Sequence, residues 1–308
     1  MNADPRPGKM RLRLPATTAN LGSAFDAAAV ALNFYLHIEA KPAIEFSILA
    51  SGRDPERCAR LEDNLIVDLY RRLLAENDRP LTPLAIRMHN EIPLGMGCGS
   101  SAAGRLVGIA LANHFGELGW DDERVLVEAS ALEGHPDNAA ACWLGGFVAA
   151  STNGHGVHVA RVIPPDDWRA ILVLPDEPLA TSKARAVLPD SYGRDDVVAN
   201  LQSVAMLGLA FAQGRGELLH AAMSDRIHQP YRAAICPQLP LLLPLAGSHG
   251  VLGVALSGAG PAVLVVAEGQ ETLDQAAAAV GEALKGMSAP ELLICRFESK
   301  GANQRESL

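Results

Sequence analysis

The stretch PLGMGCGSSAAGRLVGIALANHF, starting at Pro93, constrains the fold of this chain more than any other. Gly95, Gly97 and Gly99 stand at every second position, where helix and strand interiors are both disfavoured because glycine has the most backbone freedom to lose. They form a loop. It is entered from LAIRMHNEI, where Leu84, Ile86 and Met88 alternate with Ala85, Arg87 and His89 as on a half-buried strand, and it runs straight into an apolar helix at Ser100 and Ser101. Strand, glycine loop and helix in immediate succession call for a mixed α+β protein. In such a loop backbone N–H groups approach an oxyanion closely, and the helix start adds about half a positive charge, so a phosphate can be held without a basic residue. A plain turn with serine N-capping is the competing reading. The pattern is not a Walker A loop, which needs a lysine, nor a dinucleotide fingerprint, which needs an acidic residue about 20 positions on.

Two more glycine turns flank apolar runs. PATTANLGSAFD, from Pro15, gathers Thr17, Thr18, Asn20, Ser23 and Asp26, and LSGAGPAVLVV, from Leu256, joins two apolar strands and could press against the first loop. Other strands are expected over MRLRLP, Ala31 to Ala40, AIEFSILASG, GGFVAAST, VHVARVI, WRAILVLP and ELLICRFES. Helices are expected over LIVDLYRRLLAEN, capped by Asp63 or Asn64, over Asp121 to Leu132, and over DDVVANLQSVAMLGLAFAQG, GELLHAAMSDRIH and ETLDQAAAAVGEALKGM. The alternation is too irregular for a TIM barrel. At roughly 150 residues per domain, 308 residues make two, and Pro164-Pro165 is the composition break between them, giving residues 10–164 and 165–308.

With 26 Lys+Arg against 35 Asp+Glu the formal charge is −9, and no basic block occurs, which argues against a nucleic-acid partner. No uninterrupted apolar run reaches the roughly 18 residues of a membrane span. Cys58, Cys98, Cys142, Cys236 and Cys295 form no CxxC pair, which argues against zinc and a disulfide framework and for a reducing cytoplasm. The first nine or so residues read as a disordered lead-in. Aromatic residues are only 5% of the chain, so Ala, Val, Leu and Ile must build the core.

The three glycine segments, in this order, resemble the signature motifs of the GHMP kinase superfamily. ATTANLG, EGHPDN at Glu133 to Asn138, TSKARAVLP at Thr181 to Pro189 and DRIHQPYR at Asp225 to Arg232 resemble its homoserine kinase branch, over nearly the whole chain. The resemblance implies a two-domain α+β GHMP kinase fold, with an N-terminal domain similar to the second domain of ribosomal protein S5 and a ferredoxin-like C-terminal domain. It implies ATP and Mg²⁺ as cofactors, L-homoserine as the phosphorylated substrate, and a homodimer.

Residue by residue, the resemblance assigns the ATP phosphate loop to Pro93, Leu94, Gly95, Met96, Gly97, Cys98, Gly99, Ser100, Ser101, Ala102 and Ala103. Asn64 falls beside the adenine, although it is equally a helix N-cap. Glu128, with Ser100, is the expected metal ligand, and Glu133 is its rival. Arg185 and Arg232 match the substrate carboxylate side, Asp26 and Asn20 the ammonium side, and Asn138 and His135 the hydroxyl end, with Thr181 adding a hydroxyl. Asn138, His135 and Ser101 are the residues expected closest to the chemistry. Several superfamily relatives have an Asp where Asn138 stands, and His135 is better described as a hydrogen-bond partner of the substrate, so catalysis is expected to rest on positioning and electrostatics without a general base. Departures are Ser23-Ala24, which needs an ordinary backbone region at Ala24, and Met96 and Cys98. Cys98 is expected to be a small buried residue, with a thiol that makes ATP binding sensitive to alkylation. The alternatives are a mevalonate-type kinase, against which the two arginines argue, and a non-catalytic relative, against which Glu128, the serines and the arginines argue.

Overall fold

The computed structural model describes residues 8–154 and 156–304, so most of the expected lead-in lies outside the described residues. The first half runs β1 (Met10–Asn20), β2 (Ala24–Pro42), β3 (Ser47–Gly52), α1 (Pro55–Ala59), α2 (Leu65–Glu76), β4 (Leu84–Asn90), α3 (Ser100–Phe115), α4 (Asp122–Glu133), α5 (Asp137–Leu144), β5 (Phe147–Thr152) and β6 (Val157–Val162). The second half runs β7 (Trp168–Leu174), α6 (Thr181–Ala186), α7 (Arg194–Gln213), α8 (Leu219–Ala222), α9 (Gln229–Arg232), α10 (Leu239–Leu242), β8 (Val251–Leu256), β9 (Val263–Glu268), α11 (Gly269–Ala283) and β10 (Glu291–Arg296). Among the described residues no helix is long and apolar enough to cross a membrane.

The first sheet has the order β3-β4-β2-β5-β6, with β1 also paired to β2, and it is antiparallel except for the parallel pair β3 and β4. Along β2, Phe34, Leu36, Ile38 and Ala40 are buried while Tyr35, His37 and Glu39 are only half-buried, the signature of a sheet with one core face. That face packs on the helix layer of α2, α3 and α5. The second sheet, β10-β7-β9-β8, is wholly antiparallel, and in chain order its strands lie 4-1-3-2, the ferredoxin-like arrangement.

Alternation in β7 assigns its two faces to different cores. Ala170, Leu172 and Leu174 join the apolar cluster of the first half, whereas Ile171 and Val173 pack with Leu273, Ala276 and Val280 of α11. The few aromatics concentrate at the seam, where Phe211 stacks on Phe147 at 4.3 Å and meets Trp168 edge-on at 5.2 Å. The chain crosses between sheets at Pro164-Pro165. It returns after β10, where Phe297 bridges to Leu32 and Glu298 N–H donates to the Ala31 carbonyl at 2.8 Å.

β1 and β2 run beyond their expected ends, and the short helices α1, α6, α9 and α10 were not expected; two further departures have a clear physical cause. The helix expected over GELLHAAMSDRIH is broken into a short 3₁₀ turn and the four-residue α8. The Asp225 carboxylate takes the N–H groups of Ile227, His228 and Gln229 and so stops the helix from continuing. Conversely, α5 forms where no helix was expected, because its alanines, Cys142 and Trp143 are buried against β1 and β2.

Candidate active site

The three glycine segments converge. Between β1 and β2 the backbone turns through Asn20, Leu21 and Gly22, all left-handed, while Ala24 is not, which is why an alanine is tolerated there. The Asn20 side chain ties this turn together: its Oδ1 accepts from Asp26 N–H at 2.9 Å and its Nδ2 donates to the Gly258 carbonyl at 2.7 Å. The middle loop is interlocked with both neighbours. Thr17 N–H donates to the Cys98 carbonyl at 3.2 Å, Ser257 Oγ to the Gly97 carbonyl at 2.7 Å, and Gly258 N–H to the Ala19 carbonyl at 3.0 Å. A Cβ on Gly97 would lie 2.1 Å from the Ser257 carbonyl oxygen, and one on Gly99 would lie 1.9 Å from Thr17 Oγ1. Gly99 is the N-cap of α3 and no side chain caps the helix, so the serine-capping reading fails and the first-turn N–H groups remain available to an anion.

A cavity of about 120 Å³ opens at this helix start. On one wall the Arg185 guanidinium grips the Asp26 carboxylate in a two-point fork of 3.0 and 2.7 Å, and Asp26 raises the Arg185 pKa. Arg232 is only 1% exposed, and among the described residues no carboxylate ion-pairs with it. It donates to the Ala184 carbonyl at 3.0 Å, to His228 Nδ1 at 3.1 Å and, more weakly, to the Gly258 carbonyl at 3.4 Å. Burial and then the like charge of Arg185 push its pKa down. His228 Nε2 faces the Gly22 carbonyl at 2.8 Å and donates to it, leaving Nδ1 as the acceptor for Arg232; burial lowers the histidine pKa, in keeping with that neutral form. Both arginines lie over the Phe25 ring, at 5.5 and 5.3 Å.

On the opposite wall α5 begins. Asp137 Oδ1 accepts from His135 Nδ1 and from Asn138 N–H, each at 2.6 Å, while its buried Oδ2 has no partner. Asn138 Oδ1 accepts from the Thr17 hydroxyl at 2.6 Å. Burial works to lower the His135 pKa, but Asp137, with Asp26 and Glu133, outweighs it and the net shift is upward. Thr181, at the start of α6, completes this side, held by Leu179 N–H donating to the Gly95 carbonyl at 3.0 Å.

Glu128 does not line this cavity; it pairs along α4 with Arg124 at 3.2 Å. Glu133 does, because Gly134 adopts the left-handed conformation that ends α4 and turns the chain inward. The Arg105 guanidinium binds the Glu133 carboxylate and the Ser101 hydroxyl together, so the two oxygens converge on one cationic group.

A second cavity, of about 440 Å³, lies on the far side of Gly95, Ser100 and Ser101, lined by Leu94, Ile92, Met88 and the start of α2. Asn64 is there, and it is also the α2 N-cap, its Oδ1 accepting from Ile66 and Val67 N–H at 3.1 and 3.3 Å. Pro93, Met96, Cys98 and Ala103 line neither cavity, whereas Ala102 lines the smaller one. Cys98 is buried, and burial pushes its thiol up to about 12, so the expected sensitivity to alkylation is corrected: a neutral, enclosed thiol does not react.

A glycine loop that feeds an uncapped helix, locked between a left-handed β-turn and a glycine turn of a ferredoxin-like sheet, is the arrangement of a GHMP kinase. The family described as GHMP kinases N terminal domain matches residues 64–146, and GHMP kinases C terminal matches residues 209–286. The homoserine kinase of Solibacter usitatus is 45% identical over 258 residues, covering 83% of this chain and 84% of that protein. The homoserine kinase of Deinococcus radiodurans is 38% identical over 264 residues, covering 86% and 85%. The crystal structure of homoserine kinase from Cytophaga hutchinsonii has the same fold, with a TM-score of 0.81 at 23% identity and 98% of each chain covered. The chain belongs to the homoserine kinase family of GHMP kinases.

Sequence reasoning overlooked Phe25, Arg105, Asp137 and His228. Phe25, Asp137 and His228 lie inside the quoted segments PATTANLGSAFD, EGHPDN and DRIHQPYR, which is the signal the sequence carries for them. Arg105 is reached through its tertiary contact with Glu133.

Proposed function

We infer that the protein transfers the γ-phosphoryl group of ATP to the side-chain hydroxyl of L-homoserine, giving O-phospho-L-homoserine and ADP. The hydroxyl oxygen bonds to the γ-phosphorus, the bond to the β–γ bridging oxygen breaks, and the hydroxyl proton leaves to phosphate or solvent. The observation that carries this reading is the Asp26–Arg185 pair beside the buried, carboxylate-free Arg232, in the same cavity as the uncapped start of α3. An amino acid is a zwitterion. Its ammonium can replace Arg185 on Asp26 while its carboxylate takes Arg185 and Arg232, so each charge of the resting site finds an opposite one.

The phosphates then sit on the loop from Gly95 to Ala102, and the nucleoside occupies the larger cavity beside Asn64. Asn138 and His135 orient the acceptor hydroxyl, and Asp137 fixes His135. Asn138, an amide with no titrating proton where several superfamily relatives carry Asp, supports catalysis without a general base, by alignment and by charge stabilisation. Oxygen donors suit Mg²⁺, and the Glu133 carboxylate with the Ser101 or Ser100 hydroxyl would hold it in place of Arg105; Glu133 is preferred over Glu128 on position. When bound, that ion neutralises charge on the transferring phosphoryl group. Asn20 serves the substrate indirectly, since its amide is committed to Gly258 and Asp26.

The acidic net charge supports small-molecule partners over nucleic acid, and five free cysteines support a reducing, cytoplasmic location. A homodimer is proposed as the working state. The test is ADP release by purified protein with ATP, Mg²⁺ and L-homoserine, with L-serine and mevalonate as controls. Turnover with L-homoserine above both controls is expected, and ADP release no greater than background would end the reading.

A further inference from the structure

Phe25 is an aromatic residue that no hydrophobic core claims. The other phenylalanines pack into or against the apolar core of the first half, whereas Phe25, half-buried, belongs to neither core cluster among the described residues. Its neighbours are an imidazole and two cations. The His228 ring stacks on it with centroids 5.2 Å apart and planes 27° from parallel, and the guanidiniums of Arg185 and Arg232 stand 5.5 and 5.3 Å from its centroid. Successive side chains of a strand point to opposite faces, but the left-handed φ of +55° at Asp26 interrupts that alternation. Phe25 and Asp26 therefore both reach Arg185, one with its ring and the other with its carboxylate. The turn that carries them is fixed by Asp26 N–H, which donates to Asn20 Oδ1 at 2.9 Å.

From this arrangement we propose that Phe25 is a positioning residue for the substrate carboxylate: its ring holds the like-charged guanidiniums of Arg185 and Arg232 close enough together for one carboxylate to bridge them. The inference rests on the kinase reading and adds to it what keeps the two arginines paired. Two neighbouring guanidiniums repel, and among the described residues the carboxylate that ion-pairs with either is Asp26, on Arg185 alone. When the substrate ammonium takes Asp26, Arg185 loses that partner, and the negative face of the Phe25 ring still attracts both cations. A ring does this without neutralising them, so their charge remains for the substrate. A carboxylate at position 25 would compete with the substrate for the same donors, and an aliphatic side chain would fill the space and attract neither arginine. The stack on His228 extends the support to Arg232 from a second direction, because His228 Nδ1 accepts from Arg232 at 3.1 Å. Phe25 does not itself line the cavity, so its influence on the substrate passes through the arginines.

The test replaces Phe25 in the full chain by mono-, di- and trifluorinated phenylalanine, which weaken the negative ring face stepwise at almost constant shape, and separately by leucine and tyrosine. The KM for L-homoserine, and its Kd by calorimetry without ATP, are expected to rise with each added fluorine and by about ten-fold or more for Phe25→Leu. Phe25→Tyr keeps the ring and is expected to stay within about three-fold of the unsubstituted protein. In every variant kcat and the KM for ATP are expected to hold within about two-fold, because the arginines act on the amino acid and not on the nucleotide. Since Phe25 lies outside both cores, the melting temperature should move by only a few degrees. A KM for L-homoserine that stays flat across the fluorine series, or a KM for ATP that rises in step with it, would overturn the positioning role; the series decides if Phe25→Leu folds poorly. Absence of L-homoserine turnover by the unsubstituted protein would end the kinase reading instead, and this inference with it.

Discussion

Replacing Arg232 by methionine separates what this residue does for the fold from what it does for the substrate. The guanidinium is 1% exposed with no carboxylate partner among the described residues, and burial together with Arg185 disfavours its charge. Exchanging a poorly compensated buried cation for an apolar side chain of similar volume is neutral or stabilising, by about 1–4 kcal/mol. Against this stand two well-formed hydrogen bonds, to Ala184 at 3.0 Å and His228 at 3.1 Å, about 1 kcal/mol each. The balance lies within about 2 kcal/mol of zero, so the melting temperature should move by only a few degrees. Substrate binding loses far more. Two charge-assisted hydrogen bonds to a carboxylate contribute about 3–4 kcal/mol together, or roughly 10²–10³-fold in kcat/KM, and the loss should fall on the KM for L-homoserine with that for ATP unchanged. The assay is ADP release at saturating ATP over a range of L-homoserine, with thermal melts with and without the amino acid. If the KM stayed within about three-fold while the unliganded protein lost most of its stability, Arg232 would be a structural residue and the reasoning would be wrong.

Gly97→Ala forces a Cβ to 2.1 Å from the Ser257 carbonyl oxygen at a φ of +81°, and it should destabilise the fold by about 2 kcal/mol or more and weaken ATP binding; an unchanged melting curve would refute the interlock of the glycine turns. Glu133→Gln should shift the Mg²⁺ dependence of activity to higher concentration and Glu128→Gln should not, and the reverse result in a Mg²⁺ titration would move the metal to Glu128. The folded-state pKa of His135 lies above its ordinary 6.5, so its stabilising contribution is complete below that value and is lost as pH rises through the folded pKa; urea unfolding across that range should show His135→Gln removing part of this decline, and an identical slope would remove the histidine from the network. Iodoacetamide near neutral pH should leave Cys98 unmodified, as mass spectrometry of the labelled protein can check.

The strands with one core face were legible because the physics that makes them is local. Phe34, Leu36 and Ile38, or Leu84, Ile86 and Met88, alternate in the sequence as they alternate between core and open face in the sheet. The same holds for the loop from Gly95 to Gly99, since three left-handed residues in five leave few other ways to enter a helix. α5 and the broken helix after α7 were not legible. Burial beneath the first sheet decides one, and a single carboxylate, Asp225, decides the other. Which glutamate lines the cavity was not legible for a related reason: Glu128 and Glu133 lie on the same helix, and nothing in helical periodicity says that the turn at Gly134 brings only the second to it.

Residue types and short spacings therefore sufficed to say that a glycine loop entering a helix, two arginines and a cluster of small polar residues were present, because local backbone preferences and side-chain chemistry are properties of the chain. Which groups meet was decided only by the tertiary structure. Asp26 and Arg185 are 159 residues apart in sequence and share two hydrogen bonds, and packing has removed Arg232 from water without bringing it a carboxylate from among the described residues. Burial and long-range pairing set the charge balance of the site, and neither is a property of any segment taken alone.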